Sequence, residues 1–375
     1  MLQLNDDSYT ITGAKMEFEN TEKTNSKTVH WYHKKWVRVL AGALTVIMIF
    51  SAIGYSIMRS QVRSLYENIS KSEDALKEIS QSNADNADIP NSFDQINNYA
   101  SLSELIDNGD YMAAIDKANE ALKSEQNPDV KTDLAEILSE LYYNAGMYQE
   151  AVDTANTYSE GREVSSSLAF VRGLSYLQLS NYPEAVSDLE RAKESGNEDA
   201  DALNLQLAIA TYANGTYESA AKYSEDYLDS PNILNLTDNG EISVDMQKEI
   251  EENSNLCRYI AALSLMHQDE YERSINYIDA LLENTSDGEI YYYRGIDNMA
   301  LEDYEAAIVD FEKAIDMGKK DTEVYYDLGI CRVSSGKVDE GIENLKQVIN
   351  NNDKPEISTA SANILTAIAQ GKSNE

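Results

Sequence analysis

Cysteine and histidine are close to absent from this chain of 375 residues, which has two of the former and three of the latter. Cys257 and Cys331 stand alone. There is no Cys-x-x-Cys pair, no lipidation-type cysteine near the start and no disulfide framework, so both are expected to be buried free thiols. His30 and His33 lie together early in the chain and His267 is isolated, so no residue set has the spacing of a zinc site, and no acidic loop has the EF-hand pattern. A phosphate-binding Gly loop, a nucleophile elbow and an HExxH pair are also missing. Carboxylate pairs such as Asp199 and Asp201 arise by chance in a chain this acidic and carry no weight. No catalytic residue, cofactor or metal is therefore expected, and the chain is read as no enzyme.

Proline and glycine are scarce, at 5 and 17 residues. That argues against a turn-rich β-sheet, and the abundance of Ala, Leu, Glu, Ser and Tyr argues for helix. Positive charge is also in short supply, with 30 Lys and Arg against 66 Asp and Glu and a formal net charge of -36. The first 59 positions hold seven of the basic and five of the acidic residues, leaving 23 against 61 beyond them. So negative a surface repels nucleic acid and anionic lipid. It reads as a solvated face, or more sharply as one that selects a basic partner.

One long apolar run interrupts this polar composition. Between Arg38 and Arg59 stands VLAGALTVIMIFSAIGYSIM, without a charge. At about 1.5 Å per residue it is long enough to cross about 30 Å of hydrocarbon as a helix. Trp31, Tyr32 and Trp36 flank one edge and Tyr55 lies near the other, at the level where amphipathic rings partition. The run begins too late and continues too long for a cleaved signal peptide. A single transmembrane helix is expected over 37–58. Lys23, Lys27, Lys34, Lys35 and Arg38 precede it, and Arg59, Arg63, Lys71 and Lys77 follow, a bias toward a cytoplasmic N-terminus and an extracytoplasmic remainder.

The flanks of the span are less regular. Residues 1–36 are polar and without periodicity, as in a disordered cytoplasmic tail, and their DDSYTIT stretch is either a modification or docking motif or inert. Over 59–82, Val62, Leu65, Ile69, Ser72, Leu76 and Ile79 alternate in steps of three and four, which puts them on one helical stripe. That stripe suits a solvent-exposed stalk helix or a short coiled coil joining two copies as a homodimer. A linker over 83–94, broken at Pro90, separates the stripe from the rest of the chain.

From about Gln95 one phrase returns seven times, as NGDYMAAIDKANEAL near Gly109, NAGMYQEAVDTANTY near Gly146 and LEDYEAAIVDFEKAI near Tyr304. Aligned on one small residue, the copies are anchored at Ala114, Ala151, Ala185, Ala220, Ser274, Ala307 and Gly341, with intervals of 37, 34, 35, 54, 33 and 34. Three residues before each anchor stands Tyr111, Tyr148, Tyr182, Tyr217, Tyr271, Tyr304 or, in the last copy, Val338. A small residue also marks the preceding helix at Gly173, Ala208, Ala262, Gly295 and Gly329, with Leu102 and Ser139 as departures in the first two copies. A period near 34 with a turn residue, an aromatic and then a small residue resembles the tetratricopeptide repeat. The resemblance covers about three quarters of the chain. It implies an all-α superhelix of about seven helical hairpins, each burying its apolar stripe against its neighbours. Four repeats fall in 95–230 and three in 253–354, with an insertion over 231–252 and a capping helix over 355–371.

In this family the first helix of each repeat lines a groove that binds peptide segments of other proteins. Carried onto this chain, the resemblance implies a groove of Tyr99, Phe170, Leu174, Leu205, Ile209, Tyr212, Tyr259, Tyr292, Ile296, Tyr326 and Ile330. The Lys and Asn arrangement with which some members hold a C-terminal carboxylate is missing, because Glu136, Glu140 and Glu289 lie on or near that side. An apolar groove edged with acid suits segments with apolar anchors and basic flanks. The expected function is a membrane-anchored protein-interaction scaffold; a translocon-associated chaperone and a regulator of a membrane enzyme are the alternatives.

The span yields a first prediction. A dual reporter fused after Glu375 should score as extracytoplasmic in the native sequence. It should become cytoplasmic when Ile47 and Ile49 are both replaced by arginine, since each arginine at mid-span adds about 3 kcal/mol to insertion. A cytoplasmic signal from the native sequence would reverse the orientation.

Overall fold

The computed structural model describes residues 2–5, 8–11, 101–231 except 103, 107, 127, 162–163 and 197–199, residue 233, and 244–372 except 284. The expected transmembrane helix, stalk and linker lie outside the described residues, as do Tyr99 and half of the insertion. No helix among the described residues is long and apolar enough to cross a membrane. Within the segment read as a polar tail, Leu2–Asn5 (β1) pairs antiparallel with Ser8–Ile11 (β2), Leu2 opposite Ile11. Everything else regular among the described residues is helix.

The helices alternate in role. Residues 101–106 carry the end of the first helix of repeat one, followed by α1 (Tyr111–Ser124). Then come α2 (Pro128–Asn144) and α3 (Tyr148–Ser159), α4 (Ser166–Gln178) and α5 (Tyr182–Glu194), and α6 (Ala200–Asn214) and α7 (Tyr217–Leu228). Next are α8 (Val244–Met266) and α9 (Tyr271–Leu282), α10 (Gly288–Ala300) and α11 (Tyr304–Asp316), and α12 (Thr322–Ser334) and α13 (Val338–Asn351). Helix α14 (Pro355–Lys372) closes the series. Every second helix thus begins at the tyrosine, or valine, three residues before the small anchor.

That common start is set by the turn. Five residues before each anchor the backbone is left-handed, at Gly109, Gly146, Ser180, Gly215, Asp269, Glu302 and Gly336, with φ between 59° and 86°. The left-handed residue donates to a carbonyl three back, as Ser180 N–H does to Leu177 at 3.0 Å, and the next donates five back, as Asn181 N–H does to Tyr176 at 2.8 Å. This pair of bonds satisfies the last carbonyls of the first helix and reverses the chain at once. Asp110 and Asp303 then cap the new helix by accepting from Ala113 and Ala306 N–H. Three of the seven turns hold this geometry without glycine, at about 1–2 kcal/mol each.

The small residues set how closely the two helices of a hairpin approach. A Cβ built on Gly295 would lie 2.6 Å from Cε1 of Phe311, and one on Gly341 would lie 2.6 Å from Cγ2 of Val333 and 2.8 Å from the Gly329 carbonyl. In the second hairpin, where serine takes the small position, the Ser139 hydroxyl donates to the Ala151 carbonyl at 3.1 Å, so the departure becomes a buried tie. Phe311, fully buried, fills the space that Gly295 leaves, and burial of such a ring is worth about 1.5–3 kcal/mol.

The described residues divide into two compact units, one within 101–215 and the other from 216 onward, so the boundary falls inside the fourth repeat. In the first unit α1 packs on α2, α2 on α3 and on α4, α3 on α4, and α5 on both α4 and α6. Leu102, Ile106, Ala114, Ile115, Leu134 and Leu138 belong to its core. In the second, each helix from α7 to α14 packs on the next, and α12 also touches α10 and α14. Ile364 and Ile368 of α14 cover Ile330, Val333 and Leu345, so the last hairpin does not end on bare apolar surface. Helix α8 starts well before the point at which the other first helices start, and Ile250 on that extension is buried.

Two substitutions of opposite sign test the turn and the close approach. Gly341→Val should lower the urea midpoint, at a loss of about 1–3 kcal/mol from overpacking. Glu302→Gly should raise it by about 1 kcal/mol through relief of the left-handed backbone. A stable Gly341→Val protein would refute the close approach.

Candidate partner-binding surface

Successive repeats are joined by arginines that the sequence pattern did not single out. Arg172, on α4 just before Gly173, donates to Asp188 of α5 at 2.6 and 2.8 Å and to Asn156 of α3 at 2.8 Å. Arg294, just before Gly295, repeats the pattern with Asp310 of α11 and with Asp279 of α9, the latter at 2.6 Å. Arg332 lies one turn further along α12 and makes the same kind of bridge, to Asn344 of α13 at 2.7 Å and Glu312 of α11 at 2.6 Å. In each case one guanidinium holds the second helix of its own hairpin and that of the hairpin before. Asp188 and Asp310 are nearly fully buried, and a paired, hydrogen-bonded carboxylate is what makes that burial tolerable. The signal was in the chain: an Arg before the small residue and an Asp sixteen residues on.

With hairpins registered this way, equivalent positions of the first helices form two rows, three residues before and one residue after the small position. In the first unit the rows carry Glu136 and Glu140 on α2, Phe170 and Leu174 on α4, and Leu205 and Ile209 on α6. Phe170, Leu174, Leu205, Ile209 and Tyr212 are all buried, at 9% exposure or less. These five expected groove residues therefore serve the packing of the unit. Hydropathy alone does not separate the two uses.

The glutamates are the exception in these rows. Glu140 is buried and its Oε2 has no hydrogen-bond partner, and Glu136 accepts a short hydrogen bond from the Ser165 hydroxyl. Burial, with the Glu136 charge, pushes Glu140 up to about 8. Burial also raises Glu136, against the Ser165 hydrogen bond, with Asp133 adding to the rise.

In the second unit the rows are more open. Tyr259 on α8, Tyr292 and Ile296 on α10, and Tyr326 on α12 are half-buried, while Ile330 is buried. The Tyr259 ring meets Tyr293 edge-on at 6.1 Å, and Tyr293 in turn lies 5.9 Å from Tyr292. The Tyr292 hydroxyl donates to Asp327 of α12 at 2.9 Å, which ties two first helices together. Lys319, unremarked in the sequence, sits 4.6 Å over the Tyr292 ring and pairs with Glu289 and Asp321 at 2.7 Å each. Glu289 is therefore neutralised within the fold. Asp327 is pushed up to about 7 by burial, against the Tyr292 hydrogen bond and the Lys319 charge. In this unit Tyr259, Tyr292 and Tyr326 thus occupy one row, with Ile296 one turn beyond Tyr292.

Among the described residues no group of three or more His, Cys, Asp or Glu side chains is placed to hold a metal. Cys257 and Cys331 are free and buried, and burial pushes both thiols up, away from nucleophilic reactivity.

A tandem array of helical hairpins with this turn and this small-residue contact defines a repeat scaffold, and known proteins agree. Residues 170–232 and 298–364 match models of the tetratricopeptide repeat, so the chain carries repeats of this kind. A TPR repeat-containing protein of Methanocaldococcus jannaschii is 24% identical over 231 residues, which are 60% of this chain and 38% of that protein. The chain thus spans well under half of that relative. Among solved structures, a tetratricopeptide repeat protein from Parabacteroides merdae aligns over 72% of this chain and 98% of its own, with 16% identity and a TM-score of 0.40. YrrB, a TPR protein with an unusual peptide-binding site, aligns over 56% and 95%, with 18% identity and a TM-score of 0.44. Repeats of this kind suggest a protein-interaction scaffold.

The second unit's buried acids make stability depend on pH. Asp297 on α10 is fully buried and pushed up to about 8 by burial, against the nearby Ser274 hydroxyl. With a folded pKa above the unfolded value, the native state binds more protons between about pH 4 and 8, so this contribution is lost as pH rises through that window. Asp297→Asn should therefore flatten the fall in melting temperature between pH 5 and pH 8 and stabilise the protein at the upper end. Parallel pH curves for the two proteins would contradict it.

Proposed function

We propose that this chain is a single-span membrane protein whose repeats hold segments of partner proteins, as a scaffold or adaptor on the extracytoplasmic side. The observation that carries the reading is the half-exposed row Tyr259, Tyr292 and Tyr326, with Ile296 beside it, on equivalent positions of three successive first helices. Tyrosines of this kind give large contact area at little conformational cost and are typical anchors of interfaces. The cross-helix tie from Tyr292 to Asp327 fixes the central ring of the row before any partner arrives. An extended or helical segment with apolar anchors and basic flanks is the complementary ligand.

The uninterrupted apolar run over 39–58 supports attachment to a membrane, and the basic residues before it support an N-terminus in the cytoplasm. The stripe over 59–82 supports pairing of two copies through the stalk. No catalytic residues enter this reading.

The test is direct. Tyr292→Ala combined with Tyr326→Ala in the full chain should remove at least one stoichiometric partner from the proteins that co-purify with it, while the helical circular dichroism stays unchanged. An identical set of partners would sink the aromatic row as the binding surface.

A further inference from the structure

In the two rows that line the first helices, each repeat contributes a residue three before and a residue one after its small position. Five of the seven repeats contribute two apolar or aromatic side chains, namely Phe170 and Leu174, Leu205 and Ile209, Tyr259 and Leu263, Tyr292 and Ile296, and Tyr326 and Ile330. The second repeat contributes Glu136 and Glu140. Two carboxylates thus occupy positions that elsewhere serve packing or partner contact, one turn apart on α2.

Their surroundings do not account for them. Among the described residues no lysine or arginine pairs with either. Arginines and lysines elsewhere in the array lie against buried carboxylates at Asp188, Asp310 and Glu323. Glu140 is 4% exposed with an unpartnered Oε2, while Glu136 is half-buried and held in place by the Ser165 hydroxyl. A buried carboxylate without a donor is costly, and the cost is offset when a cation with N–H groups enters.

We propose that Glu136 and Glu140 form the receptor for one lysine or arginine side chain of the bound partner segment. The proposal rests on the scaffold reading above and adds the partner's chemistry: a cationic residue flanked by apolar ones. Charge complementarity selects this occupant, since a guanidinium or ammonium supplies the donors that Glu140 lacks and offsets the repulsion between the pair. In the absence of the cation the pair relieves that repulsion by keeping a proton on Glu140, and the arriving cation displaces it.

The experiment uses the full chain in nanodiscs and a positional library of nine-residue peptides bearing Lys, Arg, norleucine, Leu, Phe or Glu at each position. The native protein should prefer Lys or Arg over norleucine at one position by about tenfold. Glu136→Gln combined with Glu140→Gln should reduce that preference to about twofold and leave the apolar preferences standing. These amides keep the side-chain shape, and an unchanged helical spectrum confirms the fold. Apolar preference in the native protein without a basic one, or a basic preference that survives both substitutions, overturns the receptor and leaves the scaffold reading intact. Failure of the native protein to bind any member overturns both. Binding that emerges only after residues 59–82 are deleted makes a cation of the chain's own 59–82 stretch the occupant and overturns the receptor for a partner.

Discussion

The distance between the two helices of a hairpin governs the rest of this protein. At Gly173, Gly295, Gly329 and Gly341 there is no room for a Cβ without moving a neighbour. Ala114, Ala151, Ala185, Ala220 and Ala307 have no accessible surface at all. Helices brought this close lock in register, and everything functional is then counted from one position. The left-handed turn lies five residues before the anchor, the helix start three before, the tie to the arginine of the same hairpin three after it, and the link to that of the next hairpin five after it. One steric constraint, repeated, positions the arginine bridges and the rows of the first helices.

This is also why the repeat pattern was legible. Where a turn must be left-handed or a contact must lack a side chain, few residue types are permitted, and the same letters return. Legibility failed where several residue types satisfy the same geometry. Ser180, Asp269 and Glu302 adopt the backbone that glycine adopts elsewhere, and only their distance from the anchor betrays them. Ser139 looked like a departure from the small position, whereas its hydroxyl closes the hairpin with a hydrogen bond.

The candidate surface was read less well, for a different reason. A groove position and a packing position call for the same apolar side chains, so periodicity selected Phe170, Leu205 and Ile209 together with Tyr292 and Tyr326. Only burial divides them: the former are buried and the latter partly exposed. The glutamates of α2 were visible as interruptions, but their burial and lack of a partner depend on how α2 meets its neighbours. Lys319 was invisible, since nothing in its local sequence foretells a place over the Tyr292 ring between two carboxylates.

Charge links the two levels. With acids more than twofold in excess, cations are the scarce resource, and the array assigns Arg172, Arg294 and Arg332 to joints between hairpins, where each serves two helices. What remains is a surface of carboxylates with few internal counterions. A few carboxyls, Glu140, Asp297 and Asp327, sit so deep that their pKa values rise to about 7 or 8. Asp327 accepts from the Tyr292 hydroxyl, whereas Asp297 lies by Ser274 with neither of its oxygens hydrogen-bonded. Glu140 has a second carboxylate as its neighbour, an arrangement that hydrogen bonding within the fold does not relieve. An array that holds these arginines at its joints can draw compensating charge from what it binds, and the carboxylate pair of the second repeat is the receptor proposed for it.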